Sequence, residues 1–541
     1  MGTSPSACRT APQRPRDTPR YRKGREHAGP STHPGAAEQR GRHRPDRPRR
    51  PRRAAGTGDT RRHAAGAGSA HRHHLLRRLR RRLRLRPGYQ PRDRLAHPQE
   101  GEHGPLPARR PDPLPAGHHL YRHLRPTASG AAGAPLAAGA YGSGAAPRIA
   151  GAGARAAVLL DNVQHWELRD LDVTDTGPAT TTERRAGILV RLHDFGTGHH
   201  YLVDGVTVHD VNGADVKDPD PSGGILFAVQ GSAKPSRFDG VTVRHSSVRH
   251  TDRTGIGTSS TWGRRPEHPN GPGTAFAPIT RLSVHHNTVR DVGGDGIVVQ
   301  NAVGARVEHN RVDGFNIRSG GYNAGVWAWN SDAVRYQFNE VSGGHGTRDS
   351  MAYDLDGGNN GNVYQYNYSH DNEGGFLLIC NGEGMTSDRN TVRYNVSVDD
   401  RNTAPPYGVI SVVCGPATRT LVHNNTVTTR FPGTAMVSSN GPGGVTFRNN
   451  VFAGAPAGSP FADTHNAYDH NLYARTPGIP AGDTGAVRAD PLFVTPDDVR
   501  LRAGSPALGA GVRVPGGAAR DFYGNPVPDP PNIGADQGPG K

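Results

Sequence analysis

The sequence predicts an all-β chain, a β-solenoid of short stacked coils, and three observations carry that prediction. Gly and Pro number 73 and 46 of 541 residues, 22% in all, too many helix breakers for a compact helical globule. An Asn closing a short apolar alternation recurs at Asn287, Asn310, Asn339, Asn367, Asn395, Asn425 and Asn450, in steps of 23, 29, 28, 28, 30 and 25 residues. A second short segment, opening on Gly or Ala, recurs with the same period. Self-similarity at 20–30 residues, made of strands and turns, is the mark of a solenoid.

The amino-terminal stretch stands apart. Residues 1–150 hold 32 Lys+Arg against 9 Asp+Glu, so the formal charge of +17 belongs to this end and the remainder is mildly acidic. Runs such as RGRHRPDRPRRPRR lack the apolar periodicity that builds a core, so residues 1–126 read as a disordered Arg/Pro/His-rich segment. Only 4 Lys accompany 61 Arg, which points to a GC-rich gene and to a frame error or misassigned start as the origin of this segment. No export signal is visible in it. The acidic remainder and the lack of any recognisable nucleic-acid module argue against a nucleic-acid partner. No apolar run of about 18 residues is present, so a membrane-spanning helix is not expected.

The repeats occupy residues 127–480. Gly, Asn and Asp lie between the strands and tolerate the φ > 0 corners. An Asn at one corner of each coil can stack as a ladder of side-chain amides, a structural task. The second segments include Gly296-Ile297-Val298-Val299-Gln300, Gly325-Val326-Trp327-Ala328-Trp329, Ala352-Tyr353-Asp354-Leu355-Asp356 and Gly375-Phe376-Leu377-Leu378-Ile379. The residue after the opening one is apolar or aromatic and should face inward. Period 2 then turns Val298/Gln300, Trp327/Trp329, Asp354/Asp356 and Leu377/Ile379 outward. Residues 481–541 follow as a closing segment.

These repeats resemble the right-handed parallel β-helix superfamily, which includes pectate lyases, polygalacturonases and many secreted bacterial carbohydrate-active proteins. The tail, with Ala489-Asp490-Pro491-Leu492-Phe493 and Asp521-Phe522-Tyr523-Gly524-Asn525, resembles the closing segment of exported members. The resemblance implies a secreted, monomeric protein whose partner is a polysaccharide or oligosaccharide.

Two tryptophans stacked beneath two aspartates are the unusual patch. Flat apolar faces suit sugar rings, so Trp327 and Trp329 are candidate substrate platforms unless a loop such as 258–278, with Trp262, covers them. Asp354 and Asp356, about 6.5–7 Å apart at Cβ, suit paired acid/base work in glycoside hydrolysis. Like charges so close raise one pKa, which divides the acid from the base. Glu373 is an alternative acid/base one rung further along. Asp295, His370 and Gln300 complete the candidate substrate contacts. No cofactor is required on this reading, although Ca²⁺ is possible: Asp354, Asp356, Asp371 and Glu373 form an alternative calcium set, as a pectate-lyase-like eliminase would need. Residues 351–400 carry only Arg389 and Arg393 as basic side chains, which favours a neutral glycan and hydrolysis over elimination of a polyuronate. A non-catalytic glycan-binding or structural solenoid is the third alternative. Gly344-His345-Gly346 matches one polygalacturonase element, but the accompanying elements are missing, and we read it as chance. Cys380 and Cys414 end second segments of consecutive coils, where a disulfide and two stacked thiols fit equally well.

Overall fold

A computed structural model describes residues 112–541, apart from 116, 118, 121–122, 218–219, 347, 383, 403 and 405. The proposals for residues 1–111 lie outside the described residues. The described chain winds through three parallel sheets in repeating order. Sheet I has fourteen strands, from Asp112–Pro115 to Ala467–Asp469. Sheet II, also of fourteen, runs from His119–Leu120 to Val487–Arg488. Sheet III has eleven, from Ala156–Asp161 to Phe461–Ala462.

Two boundaries differ from the sequence expectation. The first described coil begins at Asp112, ahead of residue 127: Asp112–Pro115 pairs with Leu136–Tyr141, and His119–Leu120 with Arg148–Ala150. The last solenoid strand, Val487–Arg488, pairs with Leu472–Ala474 beyond residue 480. Parallel pairing needs only backbone groups, so composition alone misplaces both ends.

The core is a set of stacked apolar columns. In sheet III, Val158, Ile188, Ile225, Ile256, Ile297, Val326, Tyr353, Leu377 and Ile410 lie in register, one per coil. All nine are almost fully buried. Each such side chain contributes roughly 1.5–3 kcal/mol. Leu377 and Ile379 belong to this core rather than to the outer face, which corrects their expected orientation. The turn through Gly374-Gly375, with Gly375 at φ +102°, runs one residue further than the Gly375-Phe376 pattern implies, so Phe376 takes the opening position, Leu377 pairs with Tyr353 and Leu378 with Asp354.

The asparagine ladder runs through eight steps. Asn287 Nδ2 donates to Asn310 Oδ1 at 3.0 Å, and the pattern repeats through Asn339, Asn367, Asn395, Asn425, Asn450 and Asn471 to Asp483. Each Nδ2 also donates to a carbonyl, as Asn367 does to Tyr336. The residue before each Asn takes a left-handed conformation, for example His286, His309, Phe338 and Tyr366 at φ 56–57°. That conformation disfavours ordinary side chains. The ladder bonds and the ring stacking of His286, His309, Phe338 and Tyr366, at 4.8–5.1 Å between centroids, offset it.

The closing segment folds back over sheet II. Ala507 and Ile533 pack against Val451, Ala453 and Leu472, and Val499 and Ala535 against Val396 and Val398. Near its start lies an antiparallel pair, Phe493–Thr495 with Asp498–Leu501.

Candidate active site

The site grows from the outward column of three consecutive sheet III strands, Ile297–Gln300, Val326–Trp329 and Tyr353–Leu355. Val298, Trp327 and Asp354 are in register. Gln300 pairs with Trp329 in the next outward column, and Asp356 follows on, its N–H donating to Ala328 O at 3.1 Å. The tryptophans and aspartates therefore stack as the period-2 argument requires.

Neither indole is an open platform, which corrects the expected exposure. Trp327 and Trp329 are 1% and 4% exposed. Lys217, from the long connection ahead of Gly223–Gln230, lies 4.4 Å over the Trp327 ring. The Trp327 Nε1–H donates to Asp295 Oδ1 at 3.0 Å. Trp329 packs with Val298, Ala324 and Met385, and its Nε1–H has no hydrogen-bond partner among the described residues. Trp262 enters the main core instead, while its neighbour Gly263 accepts from Asn330 Nδ2 at 2.7 Å beside Trp329.

Four carboxylates gather here: Asp295, Asp349, Asp354 and Asp356, each 5% exposed or less. Two buried or nearly buried cations accompany them. Arg253 reaches Asp295 at 3.2 Å and Asp215 at 3.2 Å, and also bonds Asn323. Lys217 lies 3.7 Å from Asp295 and donates to Tyr322 O at 2.9 Å. Uncompensated charge in such a place is expensive, so a carboxyl group takes up a proton instead. Burial pushes Asp354 well above the usual carboxylate range, and repulsion from Asp356 and then Asp349 adds to it, against the pull of Lys217. Asp354 Oδ1 accepts no hydrogen bond among the described residues. Burial also pushes Asp349 up to about 6, opposed by Lys217 and by the N–H groups of Ser350 and Asn323, which bind its Oδ1 at 2.7 and 3.1 Å. Asp295 accepts from Trp327 and from Ala324 N–H at 3.0 Å, so it positions the indole.

The remaining sequence candidates sit elsewhere or in other roles. Glu373 pairs with His345 at 2.7 Å and Arg401 at 3.1 Å, and accepts from Gly346 N–H. Partial burial raises its pKa, but the Gly346 and Arg401 hydrogen bonds outweigh that and hold it below the usual range. A proton donor needs the opposite shift, so the donor half of the role expected of Glu373 is not favoured by this setting. His345 in the Gly-His-Gly match serves this ion pair. His370 belongs to sheet II, not sheet III, and is clamped between Asp371 at 2.9 Å and Glu340 at 3.4 Å, away from the tryptophan column. The calcium set of Asp354, Asp356, Asp371 and Glu373 does not converge. Asp371 and Glu373 are held by their own partners, and among the described residues three potential metal ligands come within 4.8 Å of one another only at His245, His285 and His286. Gln300 stays on the Trp329 column, bonded to Thr258 through its backbone. Leu378 and Cys380 extend the outward face past Asp354, and Cys380 forms a disulfide with Cys414, Cα–Cα 5.2 Å. An open cleft of about 520 Å³ lies at the adjoining corner, lined by Glu267, Asp332, Asn360, Thr386 and Arg389 among others, and none of the four carboxylates lines it.

Asp349, Lys217 and Arg253 escape a reading based on strand periodicity, because all three lie on connections. The clue available was composition: three acids within Asp349-Ser350-Met351-Ala352-Tyr353-Asp354-Leu355-Asp356, and a lysine in a chain holding only four.

No protein-family model matches the chain. It is 27% identical over 457 residues to the lacto-N-biosidase of Bifidobacterium longum subsp. longum, an alignment that covers 70% of this chain and 28% of that protein. Two crystal structures of the GH136 lacto-N-biosidase of Eubacterium ramulus superpose with TM-scores of 0.51 and 0.50 at 24% identity, covering 66% of this chain and 61% of theirs. The fold is a right-handed parallel β-helix. The chain spans little more than a quarter of the curated relative's length, so the β-helix is the common ground established by these likenesses.

Proposed function

We propose that this β-helix is a glycoside hydrolase acting on an oligosaccharide or on the end of a polysaccharide. One observation carries the reading: Asp349, Asp354 and Asp356 are buried together beside Trp327, with two of the three carboxyl groups pushed upward in pKa. Glycosidic cleavage needs one carboxyl group that gives and retakes a proton and one that stays ionised. Asp349, at about 6, is matched to proton cycling near neutrality. Asp354, pushed well above the usual carboxylate range by burial and by repulsion from Asp356, is the group placed to hold a proton and donate a hydrogen bond, to a sugar hydroxyl or to its neighbour. Asp356 is the carboxylate partner. The lacto-N-biosidase relatives support a hydrolase over a lyase. Lys217 and Met385 cover the tryptophans, so substrate binding displaces that cover and uses the Trp327 face it exposes. The Cys380–Cys414 bridge supports an exported protein, since such bonds persist in oxidising compartments.

The test uses the full chain with a chromogenic lacto-N-bioside and a panel of neutral oligosaccharides. Wild type should release aglycone or reducing ends. Asp356→Asn and Asp349→Asn should each lose at least 100-fold in kcat while remaining folded by circular dichroism. Full turnover by folded Asp356→Asn would overturn the assignment.

A further inference from the structure

A histidine cluster lies outside the carboxylate site, where sheet I turns into sheet II. His245 follows the strand Arg237–Arg244, His285 ends the strand Ile279–His285, and His286 occupies the next corner position. One potential ligand nitrogen from each lies within 4.8 Å of the other two. His285 Nδ1 and His286 Nδ1 are 2.9 Å apart. Two nitrogens each about 2.0–2.1 Å from one ion are about 2.9 Å apart at a right angle and about 3.3–3.4 Å apart at the tetrahedral angle. That approach is a hydrogen bond between the two rings, and once it is given up the same spacing suits neighbouring ligands in a square or octahedral set.

The surroundings are those of a ligating imidazole. Asp204 Oδ1 lies 3.0 Å from His245 Nδ1, and a carboxylate on one ring nitrogen orients the ring and raises the basicity of the other nitrogen. Glu308 is in register with His285 and faces it with negative charge. His245 and His286 take left-handed conformations, φ 50° and 57°, at successive corners, which brings their rings beside His285. No part of the carboxylate chemistry uses these residues.

We infer that His245, His285 and His286 form a binding site for a late first-row divalent metal, copper(II) or nickel(II) in preference to zinc. Three imidazoles on adjacent coils would clip two rungs of the solenoid together, so the ion would serve the stability of the β-helix rather than its reaction.

The experiment titrates the full chain separately with copper(II), nickel(II) and zinc(II), by calorimetry and, for copper, by electron paramagnetic resonance. Wild type is compared with His245→Asn/His286→Asn, since Asn tolerates the left-handed corner, and with His285→Gln. The difference from wild type isolates this site from histidines elsewhere. His309→Gln removes a ring that stacks on His286 without being one of the three ligands. One equivalent of copper(II) should be lost in both ligand variants and kept in His309→Gln, together with an axial spectrum showing nitrogen coupling. Asp204→Asn should weaken binding about 10- to 100-fold. Equal stoichiometry and an identical spectrum in wild type and the folded ligand variants would overturn the site. Binding of zinc(II) more tightly than copper(II) and nickel(II) would overturn the geometry assigned to it.

Discussion

Replacing Asn367 by Ala should break the amide ladder at its middle, and its cost can be worked from the structure. The side chain makes four bonds. Its Nδ2 donates to Asn395 Oδ1 and Tyr336 O, both at 3.0 Å. Its Oδ1 accepts from Asn339 N–H and Asn339 Nδ2, both at 3.0 Å. Asn367 is fully buried, so water cannot replace these bonds. Alanine leaves the Asn339 N–H and the Tyr336 carbonyl without their partner, and each orphaned group costs about 1–3 kcal/mol. The sum is about 2–6 kcal/mol. Solenoids need not unfold in one step, so the assay is amide hydrogen exchange across residues 336–370 together with urea denaturation. Protection of the Asn339 amide should fall by at least 100-fold, with the loss greatest in the two coils that flank residue 367. A change below 1 kcal/mol, spread evenly along the chain, would refute the ladder as a source of stability.

Other outcomes follow from the same geometry. Asp349 has its folded pKa raised to about 6 against 3.8, so its favourable contribution is present below pH 3.8 and disappears as pH rises through 6. Over that window it amounts to about 3 kcal/mol, and Asp349→Asn should flatten the stability profile measured by denaturation between pH 4 and 7. His370 is also raised, to about 9: burial lowers it, but the bonds to Asp371 and Glu340 win. Its contribution is full below pH 6.5 and lost as pH rises through 9, so His370→Gln should destabilise by about 2–3 kcal/mol at pH 6 and by much less at pH 10. Opening the Cys380–Cys414 bridge, which spans 34 residues, should cost about 3–4 kcal/mol on the chain-entropy account, read as a lower urea midpoint for Cys380→Ser/Cys414→Ser.

Much of the fold was legible in the sequence because period and register come from side-chain patterning. The Asn spacings marked the ladder, and alternation placed Trp327, Trp329, Asp354 and Asp356 on one face. The slip at Gly374-Gly375 was not legible, since the apolar run Phe376-Leu377-Leu378-Ile379 reads equally well in either register. Tyr353 shows the same limit from the other side: it is an inward column residue whose hydroxyl finds the Asn339 carbonyl at 3.0 Å, a partner that only the folded coil supplies. The site was half legible. The strand-borne aspartates obey a period, whereas Asp349 and Lys217 arrive on connections whose paths are set by tertiary packing. Burial was misjudged for the same reason, because the cover over the tryptophans comes from a residue more than a hundred positions away in sequence.

The central claim is that the buried carboxylates of sheet III split a glycosidic bond with water. Oligosaccharide turnover by the full chain in ¹⁸O-labelled water, with calcium and with chelator, tests it most directly by mass spectrometry of the products. The account predicts one ¹⁸O atom in the newly released sugar, no absorbance of an unsaturated uronate, and no effect of the chelator. Unlabelled, unsaturated product formed only with calcium would contradict it.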